Sequence, residues 1–599
     1  MLKRKEHLSP DRLLALLDRH WKLVVVIAWV GLCAWYLNDR WGDLRAFALG
    51  DTDDNMRMMQ VRALLHGQDW FDLRQYRLNP PYGANMHWSH LVDLPLAGLI
   101  LLLRPLVGGP MAEMYAAGFA PLIPYLALLF GLALVARRLI HPAAYPLAIV
   151  ALFFAGSTNG MFMPDRIDHH GWQLALLSIA LAGLADPRRA RGGITLGIAS
   201  ALSLAIGLEL LIYLAIAGAA TVLFWVADRE ERGRLAAYAV SLSGGVAFSF
   251  LVFASYANRA PVCDALSPVW LADALLAGAL LFGLSMLGTA DWKRRLMLAL
   301  AAGAVLALFH TLTWPHCLQR LEGVSDEVNA LWLSHVREAR PVYRHGWKLA
   351  MLICALPVTG LVGWALLSWR NRIDRDLLRR TLAAAAPAVA ATVLLLWQTR
   401  TGPAAQMMGT IGAASLVAIL LPLTLRAPSA VLRTIGPALI IIIGAGAAVP
   451  LIVSYVPAKK QTKRENQIAA ANRGCNFIGS FKPIAKQPRG IVFTFVDTAP
   501  RLIAVTRHSS IIGPYHRNGE QIGDVMKAFR GSPEQARAIM AKYRADYLLT
   551  CPNASTTTIF RSETPKGFYS QLERGQVPGW LTPIDLGKDS PFRMWRIAR

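Results

Sequence analysis

Apolar runs long enough to cross a ~30 Å hydrocarbon core recur along this chain, separated by short loops that carry Arg, Lys and Pro. They predict membrane-spanning helices near 22–38, 114–136, 142–160, 171–186, 193–206, 208–226, 235–257, 268–289, 296–313, 348–369, 381–398, 405–425 and 434–455, about thirteen crossings. The apolar segment 91–107 is assigned to the interface or to a re-entrant loop. Counting it as a crossing would put Arg137, Arg138 and several later basic loops on the outer side. Between Leu204 and Tyr213 the chain contains a Glu and must turn tightly if both flanking runs cross. The first run, 23–37, is followed by Asn38, Asp39, Arg40 and Trp41 with no small-residue cleavage site, which predicts a retained span. After Pro457 the pattern changes: short apolar runs such as 490–495 alternate with a helical stretch around 533–543, predicting a small α/β domain.

Composition agrees with a membrane assignment and excludes an ordinary soluble protein. Of 599 residues, 54% are hydrophobic and 17% charged, and the mean hydropathy is +0.37. In a soluble chain a net charge of +24 would suggest nucleic acid. Here the basic residues cluster between apolar runs, at Lys3, Arg4 and Lys5 and at 137–138, 188–191, 229–234, 293–295, 370–380 and 426–433. They are read as topology signals and contacts with anionic membrane lipids, and no nucleic-acid partner is expected. Placing them inside makes 1–21 a cytoplasmic segment, 22–455 the transmembrane domain and 456–599 an outer, periplasmic domain of a bacterial inner-membrane protein. The outer loops are then 39–113, 161–170, 258–267, 314–347 and 399–404. Lys459, Lys460, Lys463 and Arg464 run against this trend, but folded domains translocate largely regardless of charge. Four cysteines fall outside, where an oxidising compartment permits the disulfides Cys263–Cys317 and Cys475–Cys551; four separate thiols are the alternative.

Candidate chemistry gathers at the predicted outer edge. Asp51, Asp53 and Asp54 are close enough that their repulsion needs a cation or a basic partner, and such oxygen ligands suit Mg²⁺ or Mn²⁺; equally, they suit an Asp-rich turn capping a helix that starts near Met56. Asp168, His169 and His170 sit between two apolar runs, where charge is costly, and Asp168 and His170 can share a divalent cation with the first cluster. A helix N-cap with interfacial histidines is the plainer reading. Glu338 lies before the run at 348 among Arg337, Arg340 and Arg344, which can simply neutralise it. Arg400, in a short outer loop, suits bidentate contact with a phosphate or else snorkels to the interface. Glu209 is a site residue or a loop residue at the outer edge.

Together these residues resemble the catalytic subunit of oligosaccharyltransferases, membrane glycosyltransferases of the GT-C fold, most nearly the archaeal and bacterial single-subunit forms. The resemblance covers roughly residues 20–455. Residues 51–67, then Pro80, Pro81, Tyr82 and Gly83, then His87 and Trp88, look like the family's first acidic motif and its trailing His-Trp pair. Asp168, His169 and His170 look like its second acidic motif in the Asp-His-His form. Residues 336–341 are similar to its Glu-bearing mobile loop, and Arg400 stands where the family places an Arg on the donor phosphate. The resemblance implies a polytopic helical protein of about thirteen spans with an outer α/β domain. It also implies transfer of a sugar or glycan from a polyprenyl-phosphate or -diphosphate donor to a periplasmic acceptor. A divalent cation, Mg²⁺ or Mn²⁺, would be held by Asp53, Asp168 and His170, with Asp53, Asp51 or Asp54 as the catalytic carboxylate and Asp53 preferred. Glu338 would complete the site, Arg400 would hold the phosphate, and His169, His87, Glu209 and Arg344 would support it. The tail lacks the Trp-Trp-Asp-Tyr-Gly element with which the family reads its peptide acceptor. The acceptor is therefore expected among lipids, lipopolysaccharide and growing glycans as well as protein, and the loop 513–518 is a candidate contact for it, or an ordinary turn. A lipid-linked-glycan flippase or other transporter is the alternative reading, and a non-catalytic assembly protein a third.

Overall fold

A computed structural model describes residues 10–319, 323–457 and 461–598. The basic residues Lys3, Arg4 and Lys5, and Lys459 and Lys460, lie outside them. A short amphipathic helix α1 (Pro10–Arg19) precedes the long apolar α2 (Trp21–Arg45). The next segment folds into α3 (Thr52–Leu65), a two-residue hairpin of β1 (Arg74–Gln75) and β2 (Ala84–Asn85), and α4 (Asp93–Val107). At 15 residues and ~1.5 Å per residue, α4 is about 22 Å long, short of a ~30 Å crossing. Beyond it lies a helical bundle: α5 (Gly109–Phe119), α6 (Leu122–Leu139), α7 (Tyr145–Phe153), α8 (Gly156–Asn159), α9 (His170–Ala185), α10 (Arg189–Ile206), α11 (Leu211–Ala227), α12 (Arg232–Phe253), α13 (Pro268–Met286) and α14 (Trp292–Thr313). After the short α15 (Asp326–Leu331) come α16 (Trp347–Arg370), α17 (Arg375–Leu394), α18 (Gly402–Leu425), α19 (Ala430–Gly444) and α20 (Ala448–Tyr455).

Helix is present at every position where the sequence predicts a span, but not always as one rod. Among the described residues eight helical segments are long and apolar enough to cross a membrane, or nine if the bent pair α19 and α20 is one span. The protein is thus a multi-pass membrane protein, and the count of thirteen rests on shorter pieces. The expected span 434–455 is broken by 88° between α19 and α20, where Gly446 takes φ +74°, a conformation that costs glycine little and other residues more. The expected span 142–160 is divided into α7 and the four-residue α8. The tight turn expected between Leu204 and Tyr213 is the stretch 207–210, which carries Glu209.

Side chains set how the bundle closes. Helices α16 and α18 approach through Gly360 and Gly363 on one and Gly409 and Gly412 on the other. A Cβ on Gly363 would fall on the carbonyl oxygen of Gly412, and one on Gly412 on that of Gly360. Small residues allow this approach where lipid offers no hydrophobic drive to association. Gly363→Ala is therefore expected to cost about 1–3 kcal/mol by overpacking and to lower the melting midpoint in detergent. Gly31→Ala on α2, where an added Cβ meets nothing within 4 Å, should leave it unchanged. Equal midpoints for the two variants would contradict the close packing.

The residues after 461 build a five-stranded mixed sheet of order β4-β3-β5-β7-β6 from β3 (Ile491–Phe493), β4 (Ser509–Ser510), β5 (Tyr547–Thr550), β6 (Leu581–Ile584) and β7 (Arg593–Ile597). Strand β3 runs parallel to β4 and β5, and β7 runs antiparallel to β5 and β6. This sheet shares one apolar core with the segment after α2. Met56, Met59, Leu73, Leu78, Met86 and Trp88 cluster with Val492, Phe493, Ile503, Tyr515 and Phe529. Hydrogen bonds extend the contact: Arg62 donates to Ala504 O (2.7 Å), Arg501 to Leu49 O (2.7 Å), Arg77 to Thr506 O (2.9 Å) and Tyr515 to Thr52 O (3.1 Å). Disulfides join Cys263 to Cys317 and Cys475 to Cys551.

Candidate active site

The acidic cluster is built at the start of α3. Asp51 is the N-cap: its carboxylate accepts from the backbone N–H of Asp53 (2.9 Å) and Asp54 (3.3 Å), and Asp54 Oδ2 accepts in return from Asp51 N–H (2.9 Å). This reciprocal box satisfies N–H groups that a helix start leaves open. The capping and ligand roles thus coexist here, since capping uses Asp51 and Asp54 and leaves Asp53 unused. The helix begins at Thr52, not near Met56.

Arg166 holds the two acidic motifs together. Its guanidinium pairs with Asp51 and Asp168 and lies 3.2 Å from Asp54. Asp54, fully buried, also accepts from Asp168 N–H (3.0 Å), and Asp168 accepts from His170 N–H (3.0 Å) at the start of α9. The basic partner demanded by the repulsion of the Asp51 cluster is therefore Arg166, a residue beside the second motif that no pattern in the sequence singles out. Three of the four carboxylates in this group have protein partners. No side-chain partner of the Asp53 carboxylate is present among the described residues.

Asp53, Asp168 and His170 each place one ligand atom within 4.8 Å of the others'. Two carboxylates and an imidazole suit a divalent cation such as Mg²⁺ or Mn²⁺. The electrostatics agree with that fit. Enclosure by protein, and then the negative Asp51 and Asp168 beside it, push the Asp53 carboxyl up to about 8. Burial acts to raise Asp168 as well, but Arg166 and the neighbouring imidazoles outweigh it and hold that carboxyl well below its usual range. Asp51, Asp54 and Asp168 form a second close acidic triple, already occupied by Arg166.

A second polar layer braces the histidines. Arg57, fully buried, pairs with Asp93 (2.9 Å), donates to Ser89 O (3.4 Å) and lies 4.3 Å over the Trp88 ring. Its other Nη is 3.4 Å from His169 Nδ1. A guanidinium can only donate, so Nδ1 accepts and the His169 proton sits on Nε2, which donates to Glu209 Oε1 at 2.9 Å. Gln173 donates to the other Glu209 oxygen (2.5 Å). His90 bonds the far oxygen of Asp93 (2.7 Å). Sequence reasoning misses Arg57, Asp93 and Gln173. The available signal is an Arg one helical turn after an acidic motif, which demands a counter-charge once buried.

The remaining expected residues lie apart from this group. Glu338 and Arg400 meet each other, Arg400 Nη2 donating to Glu338 Oε1 at 3.4 Å. Neither bonds Asp53, Asp168 or His170 among the described residues. Arg344 closes a one-turn helix at Val342–Arg344, and its side chain makes no bond to the acidic group among the described residues. His87 packs against His516 with the rings tilted by 45° and their centroids 4.4 Å apart, and His516 and Arg517 both hold Asp264 (2.5 and 2.7 Å). Residues 513–518 thus bond to the loop 258–267, a contact no pattern in the sequence announces.

No protein-family model matches the chain, and no curated protein sequence matches it. Its structure is similar to that of the archaeal oligosaccharyltransferase AglB from Archaeoglobus fulgidus in complex with an inhibitory peptide and a dolichol-phosphate. The TM-score is 0.64 at 15% identity, over 89% of this chain and 70% of that one. The same enzyme in complex with Zn and sulfate gives a TM-score of 0.57 at 14% identity, over 88% and 67%. ArnT from Cupriavidus metallidurans bound to undecaprenyl phosphate gives 0.47 at 11% identity, over 95% and 97%. Helical bundle, terminal mixed sheet and archaeal neighbours agree: the chain has the fold of the archaeal oligosaccharyltransferases, the GT-C membrane fold its motifs resemble.

Proposed function

We propose that this protein is a glycosyltransferase of the bacterial inner membrane that moves a sugar or glycan from a polyprenyl-phosphate or -diphosphate donor to an acceptor on the periplasmic face. The observation that carries the reading is the convergence of Asp53, Asp168 and His170, with the Asp53 carboxylate free of side-chain partners among the described residues while Arg166 pairs with Asp51 and Asp168. In this reading 1–21 is cytoplasmic, 22–455 is the membrane domain and 456–599 the periplasmic domain, so the acidic group faces the periplasm. The dolichol-phosphate on the archaeal neighbour supports a lipid-phosphate donor, and its Zn form supports a metal. Without a Trp-Trp-Asp-Tyr-Gly element, a lipid, lipopolysaccharide or growing glycan is the favoured acceptor over protein asparagine.

Each residue then has a task. Asp53, Asp168 and His170 would hold a divalent cation, which would supply Lewis-acid neutralisation of the leaving phosphate. Arg166 fixes Asp168 in its ionised form. Arg57 and Glu209 lock the His169 tautomer and with it the start of α9, so His170 is presented on a rigid helix end. Asp53 orients the acceptor hydroxyl or takes its proton. Arg400, released from Glu338, adds a bidentate contact to the donor phosphate. A transporter would instead need polar groups at mid-membrane depth; the groups assembled here lie at helix starts and in loops.

Chelation tests the assignment. EDTA should abolish transfer from an extracted polyprenyl-linked donor by the purified protein, and Mn²⁺ or Mg²⁺ should restore it. Because Asp53 is held protonated up to about 8, binding a cation must release that proton. Burial acts against a charged His170, but Asp168 and Glu209 beside it outweigh that and hold the imidazole above its usual range as well. Apparent Mn²⁺ affinity should therefore rise by about tenfold or more per pH unit between about pH 6 and about pH 8 and more slowly above. Transfer that survives EDTA, or an affinity flat across that range, would contradict the site.

A further inference from the structure

A cavity of about 370 Å³ lies at the other end of α9 from the acidic group. Helix α9 has 16 residues, so the two ends are about 24 Å apart. Four guanidinium groups, Arg189, Arg234, Arg379 and Arg380, line the cavity together with Glu231 and Asp376. Two of the four have a structural task. Arg234 donates to Gly183 O (3.2 Å), Asp186 O (2.8 Å) and Glu231 (2.6 Å), and Arg380 donates to Ala185 O (3.1 Å) and Asp376 O (3.3 Å). They satisfy carbonyls at the C-terminus of α9 and complement its dipole.

Arg189 and Arg379 do not serve that end. Arg189 spends Nε on Glu231 (3.1 Å) and Nη2 on Asp228 (3.2 Å), leaving Nη1. Arg379 reaches Asp376 (3.4 Å) and Asp228 (3.6 Å) through Nη1, and its Nε and Nη2, the two donors of one guanidinium edge, make no hydrogen bond among the described residues. Four guanidinium groups and two carboxylates, Glu231 and Asp376, line the cavity, with Asp228, Asp374 and Asp186 acting on them from outside its wall; the wall itself thus carries a surplus of positive charge, and Asp376 is 67% exposed. Its wall also includes Phe224 of α11, 5% exposed, with the Arg234 guanidinium 5.1 Å over its ring. The remaining donors of Arg189 and Arg379 match a phosphate group, whether free or on a lipid headgroup.

We propose that this cavity binds a phosphate-bearing anion, supplied by the headgroup of an anionic phospholipid or by free phosphate, with Arg189 and Arg379 as the principal contacts. The site is independent of the transfer chemistry and stands or falls apart from it. The test uses the full-length protein in detergent, titrated separately with phosphatidylglycerol, phosphatidylcholine and inorganic phosphate, with the melting midpoint and native mass spectrometry as readouts. Phosphatidylglycerol should raise the midpoint and remain bound where phosphatidylcholine does not. Arg189→Gln/Arg379→Gln, which leaves the α9 cap intact, should weaken binding at least about tenfold. Arg189→Lys/Arg379→Lys should recover part of that loss, and Asp53→Asn and Arg400→Gln should bind as the native chain does, which separates this cavity from the donor site. Stabilisation by phosphatidylglycerol alone identifies a lipid headgroup as the source, and equal stabilisation by inorganic phosphate identifies a soluble one. No stabilisation by either, or full binding in the Gln double variant, overturns the proposal.

Discussion

Asp53→Asn is expected to reduce transfer by about 10²–10⁴-fold while leaving the folded protein as stable as the native chain. The expectation rests on the division of labour within the cluster. Asp51 caps α3 and pairs with Arg166, Asp54 receives the N–H groups of Asp51 and Asp168, and Asp168 anchors Arg166. Changing any of those three removes folding contacts as well as charge, so their loss of activity would be ambiguous. Asp53 has only its backbone N–H in the capping network, and Asn preserves the shape of the side chain. Below about pH 8 the native carboxyl is already held protonated beside Asp51 and Asp168, so Asn matches its charge as well. An Asp53→Asn protein that keeps its melting midpoint and loses both transfer and Mn²⁺ binding fits the account; one that retains transfer within a factor of a few does not.

Arg57→Ala should have the largest effect on stability. Arg57 and Asp93 are essentially inaccessible, with side-chain exposures of 1% and 0%, so removing the guanidinium strands a buried carboxylate with His90 as its remaining bond partner. Breaking a buried pair from one side costs about 3–5 kcal/mol, and the variant also loses its contact with the Trp88 ring. Trp88 belongs to the core shared with the terminal sheet, so the damage should spread to that sheet and appear as proteolysis of residues beyond 461. Arg57→Met/Asp93→Asn, which removes both charges, should recover much of the stability. If the single and double variants are equally destabilised, the pair itself is not what matters.

Much of this arrangement is legible in the chain because hydropathy and charge are local. The apolar runs mark where helices lie, and the Asp-His-His run at the start of α9 marks one side of the site. The breaks are harder to read, since averaging over a span hides one residue such as Gly446, whose effect is a backbone angle. The partners of the acidic cluster are also hidden. Arg166 is two residues from Asp168 but 112 residues from Asp54, and nothing in the sequence says which carboxylates it neutralises. The same holds for Asp264, which is joined to His516 and Arg517 across 252 and 253 residues. Pairing between distant segments is a property of packing, and it decides here which aspartate remains free.

The central claim, metal-dependent transfer from a lipid-linked donor at Asp53, Asp168 and His170, is tested most directly in membranes of cells expressing either the native chain or Asp53→Asn/His170→Ala, which removes two of the three ligands and leaves the Arg166 pairs in place. Mass spectrometry would compare the polyprenyl-linked glycans and the mature surface glycans of the two. The account predicts that the double variant accumulates the lipid-linked donor and that a surface glycan loses the mass of the transferred unit. Identical pools in both strains, with the variant present in the membrane at native levels, would contradict it.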